Sequence, residues 1–196
     1  MAVGASGGLG LLDLRDLLEA LPGDLPAIVL AVLHRPSGQF SHLKEVLSRR
    51  SALPVLIPQE DDEFHAGVCY IGEPAAHLEL AARSRVHLVA GNNDKYRNRT
   101  VDLLFASVAE HARDRAIGVV LRGELADGTR GLAAIHFAGG ATMVLGAGGS
   151  ASEGMPQNAT NYGGPIDFTG AVDEIAREIA RRVSLSNSER APPPPG

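Results

Sequence analysis

The sequence has little cysteine, no tryptophan and no cluster of basic residues. Its one cysteine, Cys69, cannot form an internal disulfide, and its place in an apolar run predicts a buried filler in a reducing compartment. The formal net charge is −5 and aromatic residues make up 4% of the chain. These values argue against a nucleic-acid partner, which needs a basic surface and stacking side chains.

Long hydrophobic runs are also missing. No apolar stretch reaches the length of a membrane span, and the first residues lack a basic region followed by a hydrophobic segment. We therefore expect a cytoplasmic protein without membrane insertion. The chain has 196 residues, of which 44% are hydrophobic and 21% charged, as is ordinary for one globular domain.

Strand and helix patterns alternate along most of the chain. Leucines recur at helical spacing from Leu9 to Leu21, and the continuous apolar run at 27–33 is typical of a strand buried on both faces of a parallel sheet. Further strands are predicted at residues 54–57, 117–121, 141–145 and, at an edge, 165–168. Further helices are predicted at residues 40–49, 101–111 and 171–183. Another helix follows residue 128 and ends at residue 138, and a short one begins at residue 154.

The middle and the end of the chain differ from this pattern. Short strands at residues 69–72, 77–80 and 86–90, separated only by turns, predict a small antiparallel hairpin insert. Residues 184–196 are rich in Ser and Asn and then carry four consecutive prolines, which predicts a disordered tail after a domain of residues 1–183. The predicted fold is a doubly wound, mostly parallel α/β sheet flanked by helices.

Ser6 is the candidate nucleophile. It lies in Gly4-Ala5-Ser6-Gly7-Gly8, where a short apolar strand turns into a helix. A serine hydroxyl needs a base within reach and N–H groups for the oxyanion, and the first turn of a helix supplies such N–H groups. Two other readings remain open: Ser6 as a helix N-cap, and a phosphate-binding turn, although the spacing does not match G-x-G-x-x-G.

His34 and Asp127 follow two other predicted strands. Ligands of parallel α/β sheets bind at the carboxyl ends of strands, so the two residues and Ser6 form a candidate triad. Ser6 attacks an acyl carbon, His34 moves the proton, and Asp127 orients the imidazole. A histidine at a strand end can also be a hydrogen-bonded loop residue, and an Asp-Gly pair a turn or helix cap.

The other histidines show no metal-ligand spacing, and the acidic run at residues 60–63 has no glycine turn pattern, so it reads as a solvated loop. We expect no metal and no cofactor.

Several motifs in order resemble the catalytic domain of the CheB-type chemotaxis protein-glutamate methylesterases, from about residue 3 to 183. The matching segments are Gly4-Ala5-Ser6-Gly7-Gly8, His34-Arg35-Pro36, Gly67-Val68-Cys69-Tyr70-Ile71, Val101-Asp102-Leu103-Leu104-Phe105, Asp127-Gly128-Thr129-Arg130-Gly131 and Gly154-Met155-Pro156. The resemblance implies a Ser6, His34 and Asp127 triad. It also implies hydrolysis of glutamyl methyl esters, or deamidation of glutamine, on a methylated chemoreceptor or related signalling protein.

The sequence departs from the family pattern in three ways. Family members usually carry a receiver domain before this one, whereas only five residues precede Ser6, so we expect a catalytic domain without a receiver. Arg122 to Asp127 replaces T-G-M-G-N-D, and Tyr96 to Asp102 replaces H-R-P-S-V-D. Both segments are expected beside the substrate groove. The candidate residues for substrate or oxyanion binding are Gly7, Gly8, Arg35, Arg97, Arg99, Arg122 and Glu124.

The leading hypothesis is a serine hydrolase of glutamyl esters. The alternative is a non-catalytic signalling or binding module with the same fold, which the altered loops favour and the intact triad disfavours.

Overall fold

A computed structural model describes residues 1–35, 42–90, 99–123, 126–147, 150–151, 153–161 and 164–188. Its strands are β1 (Ala2–Ser6), β2 (Val29–His34), β3 (Val55–Leu56), β4 (Cys69–Ile71), β5 (Ala76–Ala81), β6 (Arg85–Ala90), β7 (Ile117–Val120), β8 (Ala141–Ala147), β9 (Ser150–Ala151) and β10 (Phe168–Gly170). Its helices are α1 (Gly7–Ala20), α2 (Leu43–Ser48), α3 (Thr100–Ala112), α4 (Thr129–Phe137), α5 (Met155–Asn161) and α6 (Val172–Ser188).

The main sheet has the strand order β10-β8-β7-β1-β2-β4-β3, and these strands all run parallel. The chain starts at β1, builds β2, β3 and β4 on one side, and then returns to build β7, β8 and β10 on the other side. β1 is therefore the topological switch point, where open α/β sheets bind their ligands. The predicted doubly wound fold is confirmed.

Two apolar layers cover the two faces of the sheet. Buried side chains of α1, α2 and α6 pack with Val3 and Ala5 on one face. Those of α3, α4 and α5 pack with Ala2 and Val32 on the other face. Because side chains alternate along a strand, Ser6 points to the same face as Ala2. We call that face the α3/α4 face.

The hairpin insert is confirmed in β5 and β6, which pair only with each other among the described strands. The placement of residues 69–72 in that insert is wrong. Cys69–Ile71 forms β4, which pairs in parallel with β2 and β3 inside the main sheet. All three of its residues are buried, because helices or the hairpin cover both of its faces.

Two further differences concern helix α6 and strand β9. Helix α6 continues to Ser188, so the start of the predicted tail at residue 184 is wrong. The hydroxyls of Ser184 and Ser186 donate to the carbonyls of Ala180 and Arg182, four residues earlier, so these serines are satisfied within a helix. Residues 189–196 lie outside the described residues. The short β9, which pairs antiparallel with β8, was not predicted.

Candidate active site

Ser6 ends β1 and occupies the N-cap position of α1. Its backbone is extended, with φ −145° and ψ 144°, as an N-cap requires, yet its side chain makes no capping hydrogen bond. Its backbone N–H donates to the carbonyl of Arg122 at 3.0 Å, which ties the strand end to the loop after β7. The geometry therefore disfavours the helix-cap reading and leaves the hydroxyl available.

The turn beyond Ser6 is open. Gly7 has φ +69°, a conformation that glycine adopts without strain, and both Gly7 and Gly8 are exposed. A Cβ built on either glycine meets nothing within 4 Å. The first turn of α1 contains no acidic residue, so its free N–H groups and the positive end of the helix dipole face an approaching anion unopposed.

On the side of Ser6 that faces Gly123, there is no space for a further side chain. A Cβ at position 123 would lie 2.7 Å from the Cβ of Ser6 and would also collide with the Met155 side chain, so only glycine fits there. The N–H of Met155 donates to the Gly123 carbonyl at 2.7 Å. Gly123 therefore lies between Ser6 and Met155, with no space for a side chain of its own.

His34 ends β2 in register with Ser6 on the adjacent strand. Parallel neighbours lie roughly 4.8 Å apart, and register partners point to the same face. His34 also shares its face with Leu30 and Val32, which belong to the α3/α4 face. The structure thus brings the predicted base to the strand beside the predicted nucleophile.

Asp127 lies after β7, the neighbour of β1 on its other side, and is 5% exposed. Its carboxylate accepts the N–H of Val101 on Oδ2 and of Asp102 on Oδ1, both at 2.9 Å, at the start of α3. Burial raises the pKa of Asp127 from 3.8 to about 6, the two backbone N–H groups oppose this, and the nearby Asp102 charge adds to it. The third predicted residue is therefore on the α3/α4 face too.

The candidate substrate residues have different surroundings. Arg35 donates to the Glu73 carboxylate at 2.9 Å and to the carbonyls of Leu33 and Gly72, which links the ends of β2 and β4 beside His34. Burial lowers the pKa of Arg35, and Glu73 opposes that shift. Arg99 directly precedes α3, where its carbonyl accepts the N–H of Leu103.

Arg122 directs its guanidinium to Asp13 on α1. The contact is bidentate, with Nε at 2.7 Å from Oδ2 and Nη2 at 2.5 Å from Oδ1. Asp13 is 2% exposed, and its bond raises the pKa of Arg122. The predicted Arg97 and Glu124 lie outside the described residues.

Sequence reasoning missed two acids of this region as partners. Asp13 could have been found as a lone carboxylate in the leucine stripe of α1. Asp102 accepts the N–H groups of Gly128 and Gly131 at the start of α4. Its signal was the single acidic residue in the first turn of α3.

In the part of the chain that the structure describes, the His, Cys, Asp and Glu side chains form no group of three or more that could hold a metal ion. Cys69 is buried, as predicted, and burial raises the pKa of its thiol to about 12, so it stays protonated. Of the predicted acidic run, Glu60 bonds to His87 and to the N–H of Leu88. No helix in the described ranges is both long and apolar enough to span a membrane.

The fold and the site together define a class of protein, a doubly wound α/β domain with a glycine-flanked serine at the topological switch point of its sheet. The family model described as CheB methylesterase matches residues 1–179, and the chain belongs to that family.

Individual relatives agree with this assignment. The chain is 31% identical to a protein-glutamate methylesterase/protein-glutamine glutaminase of Pectobacterium atrosepticum, over 97% of this chain and 54% of the relative. It is 36% identical to protein-glutamate methylesterase/protein-glutamine glutaminase 3 of Geobacter sulfurreducens, over 94% and 50%. The crystal structure of the Thermotoga maritima CheB methylesterase catalytic domain superposes with a TM-score of 0.81 at 28% identity, covering 92% of this chain and 96% of that one. The chain spans about half the length of the curated relatives it matches.

Proposed function

We propose that this chain is a serine hydrolase that cleaves glutamyl methyl esters on a chemoreceptor-like protein in the cytoplasm and can also deamidate glutamine. Ser6 is the nucleophile, His34 the general base and acid, and Asp127 the orienting carboxylate. The observation that carries the proposal is the placement of Ser6, whose side chain does not cap α1 although it occupies the cap position, in register with His34.

The reaction proceeds in two halves. Ser6 Oγ attacks the ester carbonyl carbon as its proton passes to the His34 imidazole. The tetrahedral intermediate expels methanol, which takes that proton, and leaves an acyl group on Ser6. A water molecule then gives a proton to His34 and attacks the acyl carbon, which releases the glutamate carboxyl group and restores Ser6. With glutamine as substrate, ammonia is the leaving group of the first half.

The first turn of α1 stabilises the oxyanion of both tetrahedral intermediates. The exposed N–H groups at Gly7 and Gly8 supply donors that the helix itself does not use, and the helix dipole adds a partial positive charge. Loss of one donor of this kind typically costs about 10² to 10³ in kcat. The glycines also leave room for a side chain presented by a folded protein substrate.

Asp127 orients the imidazole and stabilises its cation. With a pKa of about 6, its carboxyl group is mainly ionised at pH 7, as this role requires. Each of its oxygens accepts one backbone N–H and has a further lone pair for a second donor. Arg35, Arg97, Arg99, Arg122 and Glu124 remain our candidates for contacts with the protein substrate.

Labelling with a serine-directed fluorophosphonate tests the proposal, since an activated serine is phosphonylated with loss of fluoride and a capping serine is not. Mass spectrometry should locate the adduct on Ser6, and Ser6→Ala and His34→Ala should abolish it. Ser184→Ala is the matched control, because Ser184 is an exposed serine on α6 across the sheet. Labelling that survives His34→Ala would remove the triad.

Turnover needs its own assay. Methanol release from a methylated chemoreceptor, and ammonia release from its glutamine form, should both depend on Ser6 and His34. Stable receptor binding without labelling and without product would instead establish the non-catalytic binding module.

A further inference from the structure

A buried carboxylate, Asp127, and a half-buried one, Asp102, hold the starts of two helices in a reciprocal arrangement, which we call the carboxylate clasp. Asp127 accepts the N–H groups of Val101 and Asp102 at the start of α3. Asp102 Oδ1 in turn accepts those of Gly128 at 2.9 Å and Gly131 at 2.8 Å, at the start of α4. Asp102 therefore lies in the helix that Asp127 holds, and Asp127 comes just before the helix that Asp102 holds.

The clasp depends on close backbone approach. Gly128 has φ +97°, which disfavours any residue with a side chain. A Cβ on Gly131 would lie 3.2 Å from the Asp102 Cα and would collide with the Phe105 side chain. At Gly128 and Gly131, therefore, no side chain separates the backbone N–H groups from the Asp102 carboxylate.

Helix capping alone does not explain this arrangement. A neutral Ser or Asn satisfies first-turn N–H groups about as well as Asp does. Here partial burial raises the pKa of Asp102, and its charge also raises that of the buried Asp127, so placing the two acids side by side costs stability. Such a cost is typical of residues that serve a functional site.

We propose that Asp102 is a positioning residue that fixes the loop presenting Asp127. It holds the N–H groups directly after Asp127, so that the remaining lone pairs of Asp127 point in one direction. This inference rests on the proposed function, because it concerns the carboxylate that orients His34. Asp102 itself contacts neither the substrate nor the reacting atoms.

Substitutions at position 102 separate geometry from general stability. Asp102→Ala removes the acceptor and should lower kcat and the labelling rate of Ser6 by about 10- to 100-fold, the scale of a roughly 1 Å misplacement. KM should stay within about twofold, since uniform binding is untouched. Asp102→Asn keeps an oxygen in the Oδ1 position and should retain the rate within about threefold.

Asp167→Ala is the matched control. Asp167 also accepts a backbone N–H, that of Thr142 at 2.7 Å, but it does so at the start of β8, whereas Ser6 and His34 lie at the carboxyl ends of their strands. Its loss should leave the labelling rate per folded molecule unchanged.

A double-mutant cycle with Asp127→Asn decides the question. If Asp102 acts through Asp127, then Asp102→Ala should lower the labelling rate far less in the Asp127→Asn background. Equal losses in both backgrounds would overturn the inference, as would wild-type rates in Asp102→Ala. If the Ala variant does not fold, Asp102→Leu, which also lacks an acceptor, replaces it, and a Leu variant as fast as Asp102→Asn would overturn the inference. A wild type that is never labelled on Ser6 would overturn the proposed function as well.

Discussion

Ser6 gives up a stabilising interaction that its position offers. Serine at an N-cap usually stabilises a helix by roughly 1 kcal/mol through its side-chain oxygen, and the backbone of Ser6 has the required conformation. Its side chain makes no such bond, and the backbone of Gly123 lies next to its Cβ. At the residue scale, the proposed nucleophile is therefore distinguished by the absence of the hydrogen bond that its position would supply.

Asp127→Asn tests the orienting acid. The amide can still accept one N–H of α3 but cannot stabilise an imidazolium, so turnover should fall by about 10³ to 10⁴ while the fold persists. The measurements are kcat with a methylated receptor and the far-UV circular dichroism of both proteins. A variant with more than about a tenth of wild-type turnover would contradict the assignment.

The pH dependence of activity and of stability should run in opposite directions. Because the folded pKa of Asp127 is raised from 3.8 to about 6, its carboxyl group becomes neutral below about pH 6, and kcat/KM should fall there. The same shift favours the protonated native state, so this contribution to the free energy of unfolding, on the order of 3 kcal/mol, is lost as pH rises from about 4 to 7. Denaturation of wild type and Asp127→Asn at several pH values measures it. A stability difference that is constant with pH would contradict this.

At the element scale, the Arg122–Asp13 pair joins the loop after β7 to α1. Removal of Arg122 leaves the Asp13 carboxylate buried without its guanidinium, which costs about 3–5 kcal/mol in a dry interior. The Arg122 side chain is 42% exposed, so solvent screens the pair and we expect Arg122→Thr to cost roughly 1–2 kcal/mol.

The control for that prediction is the double variant with Arg122→Thr and Asp13→Asn. Asp13→Asn removes the unpaired charge, so it should recover part of the lost free energy of unfolding. Urea denaturation measures both variants. An additive, larger loss in the double variant would show that Asp13 is stabilised by other groups. The expected contact of Arg122 with substrate stays a prediction.

Periodicity predicted most elements but not every neighbour. Strand β4 has three residues, and a short apolar segment followed by a turn and a hairpin carries no sign of its direction. That Val68 to Ile71 is apolar at each position was the available hint of a strand covered on both faces. The clasp was beyond sequence reasoning, because Asp102 and Asp127 meet only when α3 and α4 pack together.

The whole molecule places Ser6, His34 and Asp127 on one face of the sheet. Their catalytic roles stay a prediction. Their positions after strands could be predicted from the sequence, and the sheet order puts β1 between β2 and β7. Their hydrogen bonds could not, since these depend on side-chain positions fixed by packing. The opposite layer contains α1, which begins directly after Ser6, and α6, whose buried residues belong to the core on the other face of the sheet.

Matched core truncations test that division. Ile179 on α6 and Leu104 on α3 are both fully buried, and replacement by Ala should lower the free energy of unfolding by about 2–5 kcal/mol in each case. Under conditions where both stay folded, Leu104→Ala should slow Ser6 labelling, because α3 carries the bonds to Asp127, and Ile179→Ala should not. Equal labelling rates would contradict the division.

The clasp also has a consequence for hydrogen exchange. First-turn amides of a helix have no intrahelical acceptor and exchange quickly with solvent, yet those of Val101, Asp102, Gly128 and Gly131 are bonded to carboxylates. In deuterated water these four amides should retain their protons far longer than the exposed first-turn amides of α1, and comparable rates would contradict the clasp. Amide spectra would then report, without any substrate, whether Asp127, the proposed orienting acid, is in place.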